Sequence, residues 1–120
     1  MPRILLVDDE ENIRLLYAEE LRDEGYEVTL ASDGYKLLER IETESPDIII
    51  LDIKLFAYNG LDLLQEIRRK YYNLPVILCS AFDSYKGDIK SMAADNYVVK
   101  SSNLAELKEK IKLALDTFIP

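Results

Sequence analysis

Five short apolar runs dominated by Ile, Val and Leu recur along the chain, at residues 3–7 (RILLV), 26–30 (YEVTL), 47–51 (DIIIL), 75–79 (PVILC) and 95–99 (DNYVV). Their length and β-branching predict strands, and the unbroken apolar character of the first, third and fourth predicts burial on both faces. The segments between them carry helical spacing. Ile13, Leu16, Tyr17 and Leu21 form one stripe, Leu37, Leu38 and Ile41 a shorter one within 34–44, and Leu64, Ile67 and Tyr71 a third. Leu104, Leu107, Ile111, Leu115 and Phe118 form the longest, opened by an expected Asn103 to Glu106 capping box. Tyr85, Ile89, Met92 and Ala93 predict one more helix, weakened by Gly87 at a cost of about 1 kcal/mol relative to Ala and therefore expected to be short or mobile. Strand alternating with helix five times specifies a doubly wound α/β domain, because parallel neighbours need a helical crossover.

Composition narrows the chemistry. The 120 residues are read as one domain without linker or repeat, large enough for a core without disulfides or structural metal. Fifteen Lys and Arg against 23 Asp and Glu leave a net charge of −8, so direct contact with nucleic acid is not expected. With one cysteine, Cys79, and no histidine, disulfide frameworks, zinc sites and histidine acid–base catalysis drop out together. No run approaches the roughly 20 apolar residues of a membrane helix, so a soluble, cytoplasmic chain is expected.

Function in such sheets gathers at the carboxyl ends of the strands. Asp8, Asp9 and Glu10 follow the first run, Asp52 ends the third, Ser80 follows the fourth and Lys100 the fifth. If the first and third strands are neighbours, carboxylates converge, and two unit charges 4 Å apart repel by about 4 kcal/mol at an effective dielectric of 20. A cation is called for, and an all-oxygen donor set favours Mg2+. Metal, carboxylate, lysine and hydroxyl together are equipment for phosphoryl transfer, with Asp52 as in-line nucleophile, Lys100 on the phosphoryl oxygens and Ser80 donating a hydrogen bond.

The stretches ILLVDDEENIR, PDIIILDI, the NG at 59 and 60, PVILCSA and ADNYVVK, in this order and spacing, resemble the receiver domain of two-component response regulators along the whole chain. The resemblance implies strand order 2-1-3-4-5 with five flanking helices. It also implies phosphorylation of Asp52 by a histidine kinase or histidine phosphotransfer protein, as a signalling switch rather than a turnover enzyme, though one that catalyses its own phosphorylation and slow dephosphorylation. Asp8, Asp9, Asp52 and the backbone carbonyl of Lys54 would hold Mg2+, and Ser80 with Tyr97 would form the switch controlling a downstream output domain or protein. The state implied is a monomer or a phosphorylation-dependent dimer. Leu15, nearly opposite the first stripe, and Phe56 are expected at the partner-docking surface. Lys54 and Phe82 are expected to shield the phosphoryl group from water.

Two departures from the family pattern stand out. Leu55-Phe56-Ala57-Tyr58-Asn59-Gly60 lacks the usual proline, and Ser101 stands where a proline in a cis peptide commonly follows the lysine. The rival readings are a haloacid-dehalogenase-type phosphatase, disfavoured because Lys54 occupies the position of its second acid, a non-phosphorylated docking pseudo-receiver, and a receiver cut from a longer DNA-binding regulator.

Overall fold

The computed structural model describes residues 1–55, 57–81, 94–101 and 103–118, with the backbone alone at 117 and 118. The strands are β1 (Arg3–Val7), β2 (Glu27–Ala31), β3 (Ile48–Leu51), β4 (Lys54–Leu55), β5 (Tyr58–Asn59), β6 (Val76–Ser80) and β7 (Asn96–Val99). The helices among the described residues are α1 (Glu11–Asp23), α2 (Leu37–Glu44), α3 (Gly60–Lys70) and α4 (Ala105–Phe118). The main sheet runs β2-β1-β3-β6-β7, all parallel, which is the expected order once the small antiparallel pair β4-β5 is set aside. The helix expected over 85–93, the side chain of Phe118, and Phe56 and Phe82 lie outside the described residues. No helix among the described residues is long and apolar enough to cross a membrane.

Strand periodicity divides the core into two. Ile4, Leu6, Ile48, Ile50, Ile77, Cys79 and Val98 face α1 and α4, meeting Tyr17, Leu21, Leu107 and Ile111. Leu5, Val7, Ile49, Leu51, Val76 and Leu78 face α2 and α3, meeting Leu37, Ile41, Leu64 and Ile67. As expected, β3 and β6 are buried at every position. At about 25 cal/mol per Å2 of apolar surface, two such layers supply most of the drive to fold.

Three local expectations are corrected. Leu16 is 41% exposed, because at 100° per residue it falls well to one side of the face centred on Tyr17, Ala18 and Leu21. α2 begins only at Leu37, after Lys36 adopts a left-handed backbone with φ 50°. Asn103 Oδ1 accepts from the N–H of Ala105 at 2.9 Å, so its recorded capping bond reaches two residues on, where a capping box would reach Glu106. In the proline-free loop after Asp52, the described residues form the antiparallel pair β4-β5, with Lys54 opposite Asn59 and Leu55 opposite Tyr58.

Candidate phosphoryl site

Register decides which acids meet. Val7 pairs with Leu51, so the next residues, Asp8 and Asp52, leave the sheet side by side. Both continue the period of Ile4, Leu6, Ile48 and Ile50, and Lys100 continues that of Val98 on the same face. The Lys100 ammonium lies between the two carboxylates, 2.8 Å from Asp8 Oδ2 and 3.0 Å from Asp52 Oδ2, with Glu10 Oε1 at 4.0 Å. Asp8 is 3% and Asp52 5% exposed, so the arrangement is nearly out of water.

Burial pushes the Asp52 carboxyl above the usual carboxylate range; the hydrogen bond and charge of Lys100 oppose the rise and Asp8 adds to it. For Lys100, burial works against the charged form. The hydrogen bonds to Asp8 and Asp52 outweigh it and hold the ammonium above the ordinary lysine range. The site is thus a cation already lodged where negative charge concentrates.

The backbone around these groups is tied down. Asp8 Oδ1 accepts from the N–H of Glu10 at 2.9 Å, and the Arg14 guanidinium donates to the Asp8 carbonyl at 2.7 Å. Asp52 N–H donates to Val7 O at 3.0 Å. Asn59 caps α3 by accepting from Leu61 N–H at 2.8 Å, and Gly60 N–H donates to Ile53 O at 2.6 Å. A Cβ on Gly60 would strike the Asp52 carbonyl oxygen and lie 2.7 Å from Ile53 Cα, so only glycine permits this approach of α3 to the Asp52 loop. Lys100 N–H donates to Ser80 O at 2.7 Å, and the Tyr17 hydroxyl donates to Ser101 O at 3.1 Å. The Tyr17 phenol, pushed up to about 12 mainly by burial, stays protonated to do so. No peptide bond among the described residues is cis, Lys100–Ser101 included.

A cleft of about 210 Å3 opens here, lined by Asp9, Glu10, Asp52, Lys54, Ser80, Ala81 and Lys100. A larger hollow of about 690 Å3 between α2 and α3 lies away from this chemistry. The carboxylates that come within 4.8 Å of one another are Asp8, Asp9 and Glu10; Asp52 is joined to Asp8 through Lys100. Ser80 is buried at the end of β6, whereas Tyr97 is half-buried on β7 against the α2–α3 side of the core. Leu15 is 57% exposed on α1. Sequence reasoning missed the roles of Arg14, Tyr17 and Gly60 in holding this backbone. The NG dipeptide was the available signal for Gly60, and Tyr17 had none, since its partner lies 84 residues away.

A doubly wound sheet with an acidic turn after its first strand, an aspartate after its third and a lysine after its last defines the class of receiver domains. The chain matches the response regulator receiver domain family over residues 4–112 and belongs to it. The alkaline phosphatase synthesis transcriptional regulatory protein PhoP of Bacillus subtilis is 35% identical over 117 residues, 94% of this chain but 48% of PhoP, so the chain spans about half that relative's length. Among solved structures, the response regulator TrrA of Thermotoga maritima in complex with Mg2+-BeF superposes with a TM-score of 0.92 at 47% identity, covering 95% of this chain and 99% of that one. TrrA in complex with the histidine kinase ThkA superposes at 0.90 with 48% identity, covering 96% and 99%.

Proposed function

We propose that this receiver domain, residues 1–120, is a phosphoacceptor switch in which Asp52 takes a phosphoryl group from a phosphohistidine in a Mg2+-dependent step. The observation that carries the reading is the Lys100 ammonium held between two buried carboxylates at the floor of an open cleft. An Asp52 oxygen, already ionised and needing no base, attacks phosphorus in line; the P–N bond breaks and its electron pair leaves with the imidazole, which is protonated. Lys100 then exchanges a carboxylate partner for a phosphoryl oxygen, and the Ser80 hydroxyl turns toward the group while Tyr97 rearranges on β7.

The donor set fits Mg2+, being all oxygen and crowded with like charge. Asp8, Asp9, Asp52 and the Lys54 carbonyl would hold it, and Glu10 stands close enough to join through water. When bound, the metal neutralises charge on the transferring group. The Mg2+-BeF complex of TrrA supports this reading. The ThkA complex supports a histidine kinase as partner, and PhoP supports a regulatory output beyond this domain. A buried, free Cys79 accords with a reducing cytoplasm.

Incubation with acetyl phosphate and Mg2+ is expected to add one phosphoryl group, located at Asp52 by peptide mass mapping. Asp52→Asn is expected to take none, and Asp9→Ala to lose most Mg2+-dependent uptake. Full, stable phosphorylation of Asp52→Asn would refute the assignment.

Leu15 stands out on α1 beyond the acidic turn, where a histidine donor must approach. Leu15→Asp is expected to slow transfer from a phosphohistidine protein by roughly tenfold, the loss of one interfacial apolar contact, while uptake from acetyl phosphate is unchanged. Equal slowing with both donors would mean that the substitution disturbs the site itself.

A further inference from the structure

A lysine side chain is a flexible four-carbon stem, so placing its ammonium within a few tenths of an ångström requires its own backbone to be fixed. The chain leaves the sheet at Lys100, and Ser101 is an exposed, ordinary residue that neither restricts φ nor stiffens the turn, as a proline there would. The Lys100 N–H is held by Ser80 O at 2.7 Å, and the restraint on the residue that follows comes from α1. The Tyr17 ring is 1% exposed within the core, and its hydroxyl donates to Ser101 O at 3.1 Å while accepting from Ser101 N–H at 3.4 Å. Both polar groups of one peptide residue are therefore held by a single immobile post. One residue away, Lys100 spans Asp8 and Asp52.

We propose that Tyr17 is a positioning residue for the phosphoryl site, its hydroxyl clamping Ser101 so that the Lys100 ammonium stays aimed between Asp8 and Asp52. The proposal rests on the phosphoacceptor reading above and assigns Tyr17 no contact with the phosphoryl group. Helix α1 thus reaches the site from two directions, through Arg14 on the Asp8 carbonyl and through Tyr17 on the Lys100 loop. The simpler role for a buried phenol is to find any acceptor for its own proton. The two roles differ in what the lysine does when the hydroxyl is removed.

Tyr17→Phe keeps the ring and the core. It is expected to slow phosphorylation by acetyl phosphate roughly three- to thirtyfold, the scale of a small misplacement of a reacting group. The 15Nζ resonance of Lys100 is expected to shift or broaden in the unphosphorylated protein. In a Lys100→Met background the same substitution is expected to slow uptake no further, because its route of action is gone. An unchanged rate and unchanged Lys100 resonance in Tyr17→Phe would overturn the proposal, as would equal slowing with and without Lys100. A wild-type chain that takes no phosphoryl group would overturn the phosphoacceptor reading, and this role with it; a phosphorylatable wild type with an indifferent Tyr17→Phe overturns this role alone.

Discussion

Lys100→Met is expected to cost about 3 kcal/mol of folding stability at neutral pH, the scale for removing one partner of a buried ionic group. The Lys100 side chain is 9% exposed, against 4% for Asp8 and 6% for Asp52, so solvent screens the two orphaned carboxylates little. Phosphorylation should fall as well, since among the described residues no other lysine lines the cleft except the exposed Lys54. The deficit carries a pH signature. In the native protein burial already holds the Asp52 carboxyl above its unfolded value, with Lys100 restraining the rise. Without Lys100 the folded-state pKa climbs further, so between the unfolded and folded values the native state binds more protons than the unfolded chain. Stability of the variant, relative to wild type, should therefore recover as pH falls through the variant's folded-state pKa and level off below the wild-type folded-state pKa, itself held above the ordinary carboxylate value. Added Mg2+ should recover part of the loss at neutral pH. Urea melts of both proteins at several pH values, with and without Mg2+, measure this, and a deficit independent of both would show that packing of the lysine stem, not its charge, was lost.

Gly60→Ala should be the most damaging substitution that touches no reactive group. The added Cβ meets backbone, the Asp52 carbonyl oxygen and Ile53 Cα at 2.7 Å, and backbone cannot rotate away as a flexible side chain would. Either α3 lifts from the hairpin or the Asp52 loop retreats. Overpacking of this kind costs about 1–3 kcal/mol. Because the displaced peptide is that of the nucleophile, phosphoryl uptake should drop by roughly a hundredfold. Denaturant melts and acetyl phosphate kinetics measure the two losses together. By comparison, Gly25 has open space around its Cβ position but φ 96°, so alanine there should cost about 1–2 kcal/mol of backbone strain while leaving uptake normal.

Much of the fold was legible because its signals are local. β1, β3 and β6 are runs of apolar residues too continuous for a half-exposed strand, and helix spacing between them leaves only crossover connections. Errors fell at margins, where one turn of helix decides. Leu16 reads as part of a stripe but sits 100° from Tyr17, and α2 loses its first turn to the left-handed Lys36. The hairpin of β4 and β5 was invisible because two-residue strands have no period to detect.

The sequence by itself determined the α/β class, the acidic balance that disfavours nucleic acid, and the presence of Asp8, Asp9, Asp52, Ser80 and Lys100 at strand ends, since each depends on composition or on spacing within a single element. What only the tertiary structure decided is which of those groups meet and what holds them. The pairing of Val7 with Leu51 sets Asp8 beside Asp52, and Lys100 arrives from 48 residues away to lie between them. Tyr17 reaches Ser101 across 84 residues, and Gly60 earns its place through a contact with backbone rather than with any side chain. The physical reason is range. Propensity and hydrophobic period act over one or two turns of chain, whereas sheet register, desolvation and hydrogen bonds between elements exist only after the elements have packed.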